Sequence, residues 1–589
     1  MTEPIRIDHE RHYTLSDVTA VARGALVTLG RGTRSMIDAN RHDVIGYIQD
    51  TSQPAYGFNR GFGSNVKQKV PAESLSALQE NLIRSHACGV GDPAPIEVVR
   101  ATMFLRAVSL ARGHSGVRSK VVTALIDCLN KGVVPVVPIQ GSVSASGDLA
   151  PLSHIALCLM GEGDACLVKQ KGGTPRRVSA ASALKQCGLT PLRLEMKEGL
   201  ALNNGVQYST ALTALATEGM ICLIKTAAIA TALTAQVMLG ADTPFRRDLH
   251  DLRRHKGSQT VADCILRLME GSRIRELHRK YEIDGEIQDP YNLRCAAQIL
   301  GPCLELIWRA KTTVEIEINS VTDNPIVLRA TNNSAIEHKE KYLDKVVEIV
   351  SAGHFHGMPI AVDGYGLLQA ASIMARLSNM RSVRYVDGDR NKGLGAHLKW
   401  PGKIPPVDMS GVSDQARREI ERRQSCQSAM MIPEYTSASL TNWLWGQSMP
   451  SHLFSLSTDS GQEDHVSMAA NVAIRAFDAL PRLSEILAIE LAYAGQAAAI
   501  RKEMRAIPSR APKGDQGNPG AIKEWHRVKQ QDLELSKACQ EVLHVVTGYF
   551  PPVTTDRVMA KQITRLGSAI LEGKIISASA KAGDFFRDV

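Results

Sequence analysis

The stretch from Gly219 to Gly240 does most to limit what this chain can fold into. It is almost unbroken in apolar and small residues, interrupted by Lys225, Gln236 and several threonines. Those interruptions suit a buried core helix better than a membrane span, which needs about twenty consecutive apolar residues. A second helical register, Leu480, Leu483, Leu487 and Leu491, has Pro481 near its predicted start. Long alternating runs are few, so the chain is predicted to be mainly α, with a bundle of long helices as its core.

Other elements are read from caps and breakers. Val18, Val21, Ala22 and Ala25 recur at helical spacing behind Thr14 and Ser16. Further helices are predicted over 33–48 and 78–86 and through the stretch up to Lys131, while 195–205 reads as a loop at the foot of the long apolar helix. The segment 390–423 breaks the pattern with Pro401, Pro405, Pro406 and many charges, and reads as an exposed excursion. Its Arg417-Arg418 and Arg422-Arg423 pairs read as a solvated helix face. Pro508 to Gly520 reads as a Pro/Gly-rich loop, with the last helices starting near Gly520 and Thr554. The expected organisation is a reactive N-terminal domain over 1–215, a central bundle over 216–520 and a C-terminal helical segment over 521–589.

Composition removes several classes of function. The 69 basic residues face 60 acidic ones, a net charge of +9 that is too small to argue for nucleic acid and reads as a generally solvated surface. Eleven cysteines are dispersed from Cys88 to Cys539 without a CxxC pair, the pattern of reduced thiols rather than of a disulfide framework or zinc ribbon. The first residues, Met1-Thr2-Glu3-Pro4-Ile5-Arg6, carry no apolar signal-peptide core. A soluble cytoplasmic protein, with neither membrane nor nucleic acid as partner, is expected.

The chemistry centres on Gly141-Ser142-Val143-Ser144-Ala145-Ser146-Gly147-Asp148-Leu149-Ala150-Pro151-Leu152. Where Ala-Ser-Gly bends tightly enough, the Gly147 amide nitrogen can attack the Ala145 carbonyl carbon. Loss of water from the ring and from the Ser146 side chain leaves a methylidene-imidazolone, a strong electrophile made from the chain itself. A bare Ala-Ser-Gly is usually only a small-residue turn. The flanking run through Ser153-His154 resembles the signature of the methylidene-imidazolone ammonia-lyases of histidine, phenylalanine and tyrosine.

That resemblance extends roughly from Tyr56 to Met468 and implies a fumarase/aspartase-like ammonia-lyase fold. Tyr56-Gly57-Phe58-Asn59-Arg60-Gly61-Phe62-Gly63 resembles the family's mobile lid, whose tyrosine is the catalytic base; a lone loop tyrosine would otherwise read as a surface anchor. Asn204, in Leu202-Asn203-Asn204-Gly205, matches a residue that hydrogen-bonds near the electrophile. In Gln288-Asp289-Pro290-Tyr291-Asn292-Leu293-Arg294 the resemblance gives Arg294 the substrate carboxylate, which its planar fork suits, with Gln288 and Tyr291 adding hydrogen bonds. Outside that motif Arg294 would read as a helix salt bridge. His354-Phe355-His356-Gly357 stands where the family has Asn-Phe-His-Gly, with Phe355 as an apolar wall beside the electrophile. A His-x-His metal site competes there, but no carboxylate or cysteine cluster lies near it in sequence.

Two patches bear on the substrate. Gln462-Glu463-Asp464-His465 resembles the version found in histidine enzymes, and Glu463 can accept a hydrogen bond from an imidazole N–H or move its proton. Ser85-His86 likewise matches the histidine members, where phenylalanine and tyrosine enzymes resemble Phe-Leu and His-Leu. The resemblance thus implies elimination of ammonia from an aromatic amino acid, L-histidine first. Tyr56 would take a β-proton, the electrophile formed from Ala145, Ser146 and Gly147 would serve as cofactor with no metal or diffusible group, and the assembly would be a homotetramer with shared active sites. His354, Ala429 (where Gly is expected) and Glu434 (where Gln is expected) depart from the pattern. A phenylalanine or tyrosine lyase, an aminomutase with the same parts, and a non-catalytic helical scaffold remain as alternatives.

Overall fold

The computed structural model describes residues 3–51, 55–61, 67, 70–169, 173–276, 288–329, 347–400, 413–504, 533–587 and 589. Two compact units emerge. The first comprises Met1–Glu218, Arg309–Tyr365 and Pro450–Phe477; the second comprises Gly219–Trp308, Gly366–Met449 and Asp478–Val589. The chain is mainly α, as its periodicity predicts. Its longest helices are Gln207–Val237, Ala296–Ile318, Met358–Val386 and Ala469–Met504.

Residues 219–237 of the apolar run lie in the 31-residue Gln207–Val237 helix. Several of its threonines survive burial because the hydroxyl bonds back into the helix, Thr226 to Cys222 O at 3.0 Å and Thr231 to Ala227 O at 2.7 Å. Gln236 is satisfied by Ala232 O at 3.1 Å and by the Ser536 amide at 2.8 Å. This helix and the 469–502 helix are long and apolar enough to cross a membrane, yet 83% of the most apolar window of each is buried inside the protein. In the second unit, buried Glu490 accepts from Arg381 Nε at 2.5 Å, from Ser378 Oγ at 2.6 Å and from Thr234 Oγ1 at 2.9 Å. That cluster ties three long helices together; removing one charged partner from such a cluster costs about 3–5 kcal/mol.

Pro481 stands inside the Ala469–Met504 helix rather than at its start. The leucine register is buried as predicted, but the preceding turns are packed through Ala469, Ala470, Ala473, Ala476 and Ala479, whose small side chains give a weaker periodic signal. The predicted loop over 195–205 is likewise corrected, since Glu198–Asn203 forms a short, wholly buried helix. Helices predicted over 33–48 and 78–86 are Arg31–Thr51 and Leu75–His86. Near the C-terminus Lys537–Tyr549 and Ala560–Leu571 are helical. The predicted loop over 508–520 and the helix start at Gly520 lie outside the described residues, as does 401–412 of the excursion; beyond it, Asp414–Ser425 is helical, with an exposed Arg422 paired to Glu419 at 2.9 Å.

Small sheets in the first unit lead into the 141–148 loop. Val133–Pro135, Asp164–Leu167 and Arg176–Ser179 form an antiparallel sheet, with Val134 opposite Cys166 and Ala165 opposite Val178. Strand Pro138–Gln140, paired with Val90–Pro93, ends directly before Gly141, and the Leu149–Leu159 helix begins directly after Asp148. The Ala145-Ser146-Gly147 tripeptide therefore lies between a strand end and a helix start.

Candidate active site

The loop is bent at both flanks of the tripeptide. Ser144 has φ 52° and Gly147 φ 81°, both left-handed, a conformation costly for serine and free for glycine. Ser144 is held there by its neighbours. Its hydroxyl donates to Asp148 Oδ1 at 2.7 Å, and its carbonyl accepts from Ser467 Oγ at 2.8 Å. Fully buried Asp148 also receives Ser142 Oγ at 2.8 Å, Ser209 N at 2.8 Å and Ser209 Oγ at 2.7 Å. Burial pushes its carboxyl up, and the four hydrogen bonds pull it back part of the way. Asp148 is a site residue that sequence reasoning quoted without giving it a role; its place just before the predicted helix start was the available signal.

Two glycines admit close backbone approach. A Cβ on Gly147 would collide with the Gly205 backbone, and one on Gly357 would sit 2.9 Å from Ala469 Cβ and 3.0 Å from Ser144 Cβ. Asn204 Nδ2 donates to Ser146 O at 2.9 Å, so the predicted hydrogen bond beside the tripeptide is present. Ala145 is buried with Val466 and Met468, and Val143 packs against the three.

Glu463 is drawn to the same point. Its Oε1 accepts from Ser146 Oγ and its Oε2 from Thr458 Oγ1, while an isolated bridge between Thr458 and Glu463 fixes the backbone. His86 ends the Leu75–His86 helix with Nδ1 3.0 Å from Ser85 Oγ. Burial holds this half-buried imidazole below its ordinary pKa, against the upward pull of the Leu82 carbonyl and the Glu463 charge. Ser85, His86, Ser146, Asn204 and Glu463 are thus one neighbourhood.

The lid residues described are 55–61 and 67. Half-buried Tyr56 sits in a turn anchored by Phe58, which is buried among Val44, Ile48, Ala55, Val327 and Val347. Gly57, at φ 72°, lies so close to Leu200 that a Cβ would collide with it. Gln79 joins both pieces, donating to Gly57 O and accepting from Leu200 N, each at 3.1 Å. The turn carrying Tyr56 is therefore packed on the short Glu198–Asn203 helix, which Asn204 follows.

Phe355 is half-buried and His354 exposed; the His356 ring Nε2 lies 2.9 Å from His465 O. Among the described residues no three His, Cys, Asp or Glu side chains are grouped as a metal site. Gln288, Tyr291 and Arg294 belong to the second unit. There Tyr291–Arg294 forms one helical turn, the Arg294 guanidinium lies over the Tyr291 ring at 5.1 Å, and Arg294 Nε donates to Asp289 O at 3.2 Å. Gln288 and Tyr291 are exposed.

Comparison with known proteins bears on the chain as a whole. The family model for aromatic amino acid lyases matches residues 13–517. A histidine ammonia-lyase of Gloeobacter violaceus is 34% identical over 565 residues, 96% of this chain and 95% of the relative. The solved histidine ammonia-lyase of Trypanosoma cruzi superposes with a TM-score of 0.77 at 29% identity, covering 99% of this chain and 96% of that one. A tyrosine aminomutase of Streptomyces globisporus superposes with a TM-score of 0.80 at 27% identity, over 99% of both chains.

Proposed function

The chain belongs to the aromatic amino acid lyase family and is a carbon–nitrogen lyase, and from that premise we propose that it eliminates ammonia from L-histidine to give trans-urocanate, using a methylidene-imidazolone formed from Ala145, Ser146 and Gly147. The observation that carries the proposal is the meeting of Glu463 and Asn204 on Ser146, with His86 within reach of the Glu463 charge. The residues present fit the ring. Left-handed Ser144 and Gly147 bend the tripeptide, Gly205 leaves room only for glycine at 147, and Asn204 holds the Ser146 carbonyl.

The ring supplies an electrophile for the substrate amine and so makes nitrogen a better leaving group. The rest of the work falls to side chains. Forming the ring removes the Ser146 hydroxyl, which frees Glu463 Oε1 to accept the imidazole N–H of histidine. His86, kept neutral by burial, lines the same pocket and, with Ser85, gives it a polar wall suited to an imidazole. Tyr56 takes the β-proton as its turn closes. Arg294, with Tyr291 and Gln288, binds the carboxylate, and Phe355 walls the site. No metal or diffusible cofactor takes part in this scheme.

The working form proposed is a cytoplasmic homotetramer with shared sites. Exposed Ile432, Tyr435, Trp443, Trp445 and Met449, clustered on and just after the Met431–Gln447 helix, supply an apolar surface of the kind that marks an interface. Eleven free cysteines suit a reducing compartment. Incubation with L-histidine, L-phenylalanine and L-tyrosine, following ammonia and the ultraviolet spectrum of the unsaturated acid, tests the assignment. Urocanate should form fastest. A β-amino acid as main product would favour an aminomutase, and cinnamate or coumarate in excess would move the substrate to phenylalanine or tyrosine.

A further inference from the structure

Arg106, in the Ile96–Ala111 helix, is 1% exposed. Buried guanidinium groups usually sit against a carboxylate, because an uncompensated buried charge is costly. Here the carboxylate whose charge Arg106 feels, Asp323, has both oxygens taken by Lys197 Nζ at 2.9 Å. Arg106 instead donates through one nitrogen, 3.0 Å to Asn204 O and 2.7 Å to Gln207 Oε1. Gln207 is itself fixed by donating to Thr322 Oγ1 at 2.6 Å. The remaining nitrogens, Nε and the second terminal nitrogen, find no acceptor among the described residues. Burial lowers the pKa to about 10, which leaves the group charged at neutral pH.

What Arg106 grips is the peptide that backs the reactive tripeptide. Asn204 reaches forward to Ser146 O at 2.9 Å, and Gly205 O accepts the Asp148 amide at 2.7 Å. Gly205 lies so close to Gly147 that no Cβ fits between them, and a Cβ on Gly205 would in turn collide with Arg106. The arginine, the 204–205 peptide and the tripeptide are therefore stacked in contact. Resting on the ring-forming reading above, we infer that Arg106 is a positioning residue for maturation of the electrophile, holding the Asn204–Gly205 peptide against Ser146–Gly147 so that ring closure is the favoured path. In that closure the Gly147 nitrogen bonds to the Ala145 carbon. The Ala145 oxygen leaves as water with the amide protons of Gly147 and Ser146, and a second water takes the Ser146 hydroxyl and Cα proton.

The test follows loss of two waters by intact mass at intervals after cell-free synthesis of the full chain. Arg106→Met keeps much of the side-chain volume without the charge. It should melt close to wild type and lose the waters at least ~10-fold more slowly, misplacement of reacting groups costing up to about 10²-fold. Arg106→Lys should fall in between. In an Asn204→Ala background, where the side-chain contact to Ser146 O is gone and the Gly205 contacts remain, Arg106→Met should add less delay than it causes alone. Wild-type rates of water loss in Arg106→Met would overturn the inference. So would full additivity with Asn204→Ala. If Arg106→Met fails to fold, Arg106→Lys decides: slowed loss at an unchanged melting temperature supports the role, and a wild-type rate refutes it. A wild-type chain that never loses the waters would refute the ring-forming reading itself, and the inference with it, before any variant is made.

Discussion

Glu463→Gln separates recognition of an imidazole from the lyase chemistry. The substitution is isosteric, and the contact that survives ring formation has a local substitute, since the Thr458 hydroxyl that donates to the carboxylate can donate to the amide oxygen or accept from its nitrogen. The fold and the bridge to Thr458 should therefore persist, and what is lost is the charge. Hydrogen bonds to a charged group are worth about 1.5–3 kcal/mol and neutral ones about 0.5–1.5 kcal/mol. Exchanging the charge-assisted bond for a neutral one should lower kcat/KM for L-histidine by roughly five- to 15-fold, about 1–1.5 kcal/mol, and by more if Glu463 also moves the imidazole proton. L-Phenylalanine has no N–H to offer, so its rate should hold or rise, and the gap between the substrates should narrow. A second signature comes from His86. Burial lowers its pKa and the Glu463 charge opposes that, so removing the charge should lower it further. If turnover requires neutral His86, the acid limb of the kcat/KM profile should move to lower pH. Steady-state kinetics on both substrates across pH reads both effects. Full histidine activity in Glu463→Gln would show that the carboxylate does not read the ring.

Tyr56→Phe should keep the fold and the two-water mass deficit while lowering turnover by at least ~10²-fold, the scale of a general base; a near-normal rate would place the base elsewhere. Ala429 occupies φ 48°, where a Cβ is unfavourable, so Ala429→Gly should relieve about 0.5–1 kcal/mol once the entropy cost of glycine is subtracted. In a chain this long that is a rise of roughly 1 °C in the melting temperature, and a fall would show that the alanine is not strained.

Much of this was legible in the sequence because its signals were local. The 219–240 run announces a buried helix through continuous apolar character, and Gly141–His154 announces the reactive loop through small residues at fixed positions. Pro481 was misplaced because proline usually marks a helix end, whereas here alanine packing carries the helix through it. The 198–203 helix was hidden by its glycine and by Asn203-Asn204 at its end, and burial against the Leu75–His86 and Leu149–Leu159 helices stabilises so short a segment. Arg106 gave no signal, since its importance lies in a partner 98 residues away in sequence. The glycine expected at position 429 from the resemblance has a plain cause in the structure, the left-handed backbone that Ala429 must adopt.

The central claim is that this chain builds its electrophile from Ala145, Ser146 and Gly147, and the intact mass of the purified protein tests it most directly. The wild type should weigh less than its sequence by two waters, and Ser146→Ala, which has no side-chain hydroxyl to lose, should fall short by one water at most. A folded wild-type protein at full sequence mass would contradict the account.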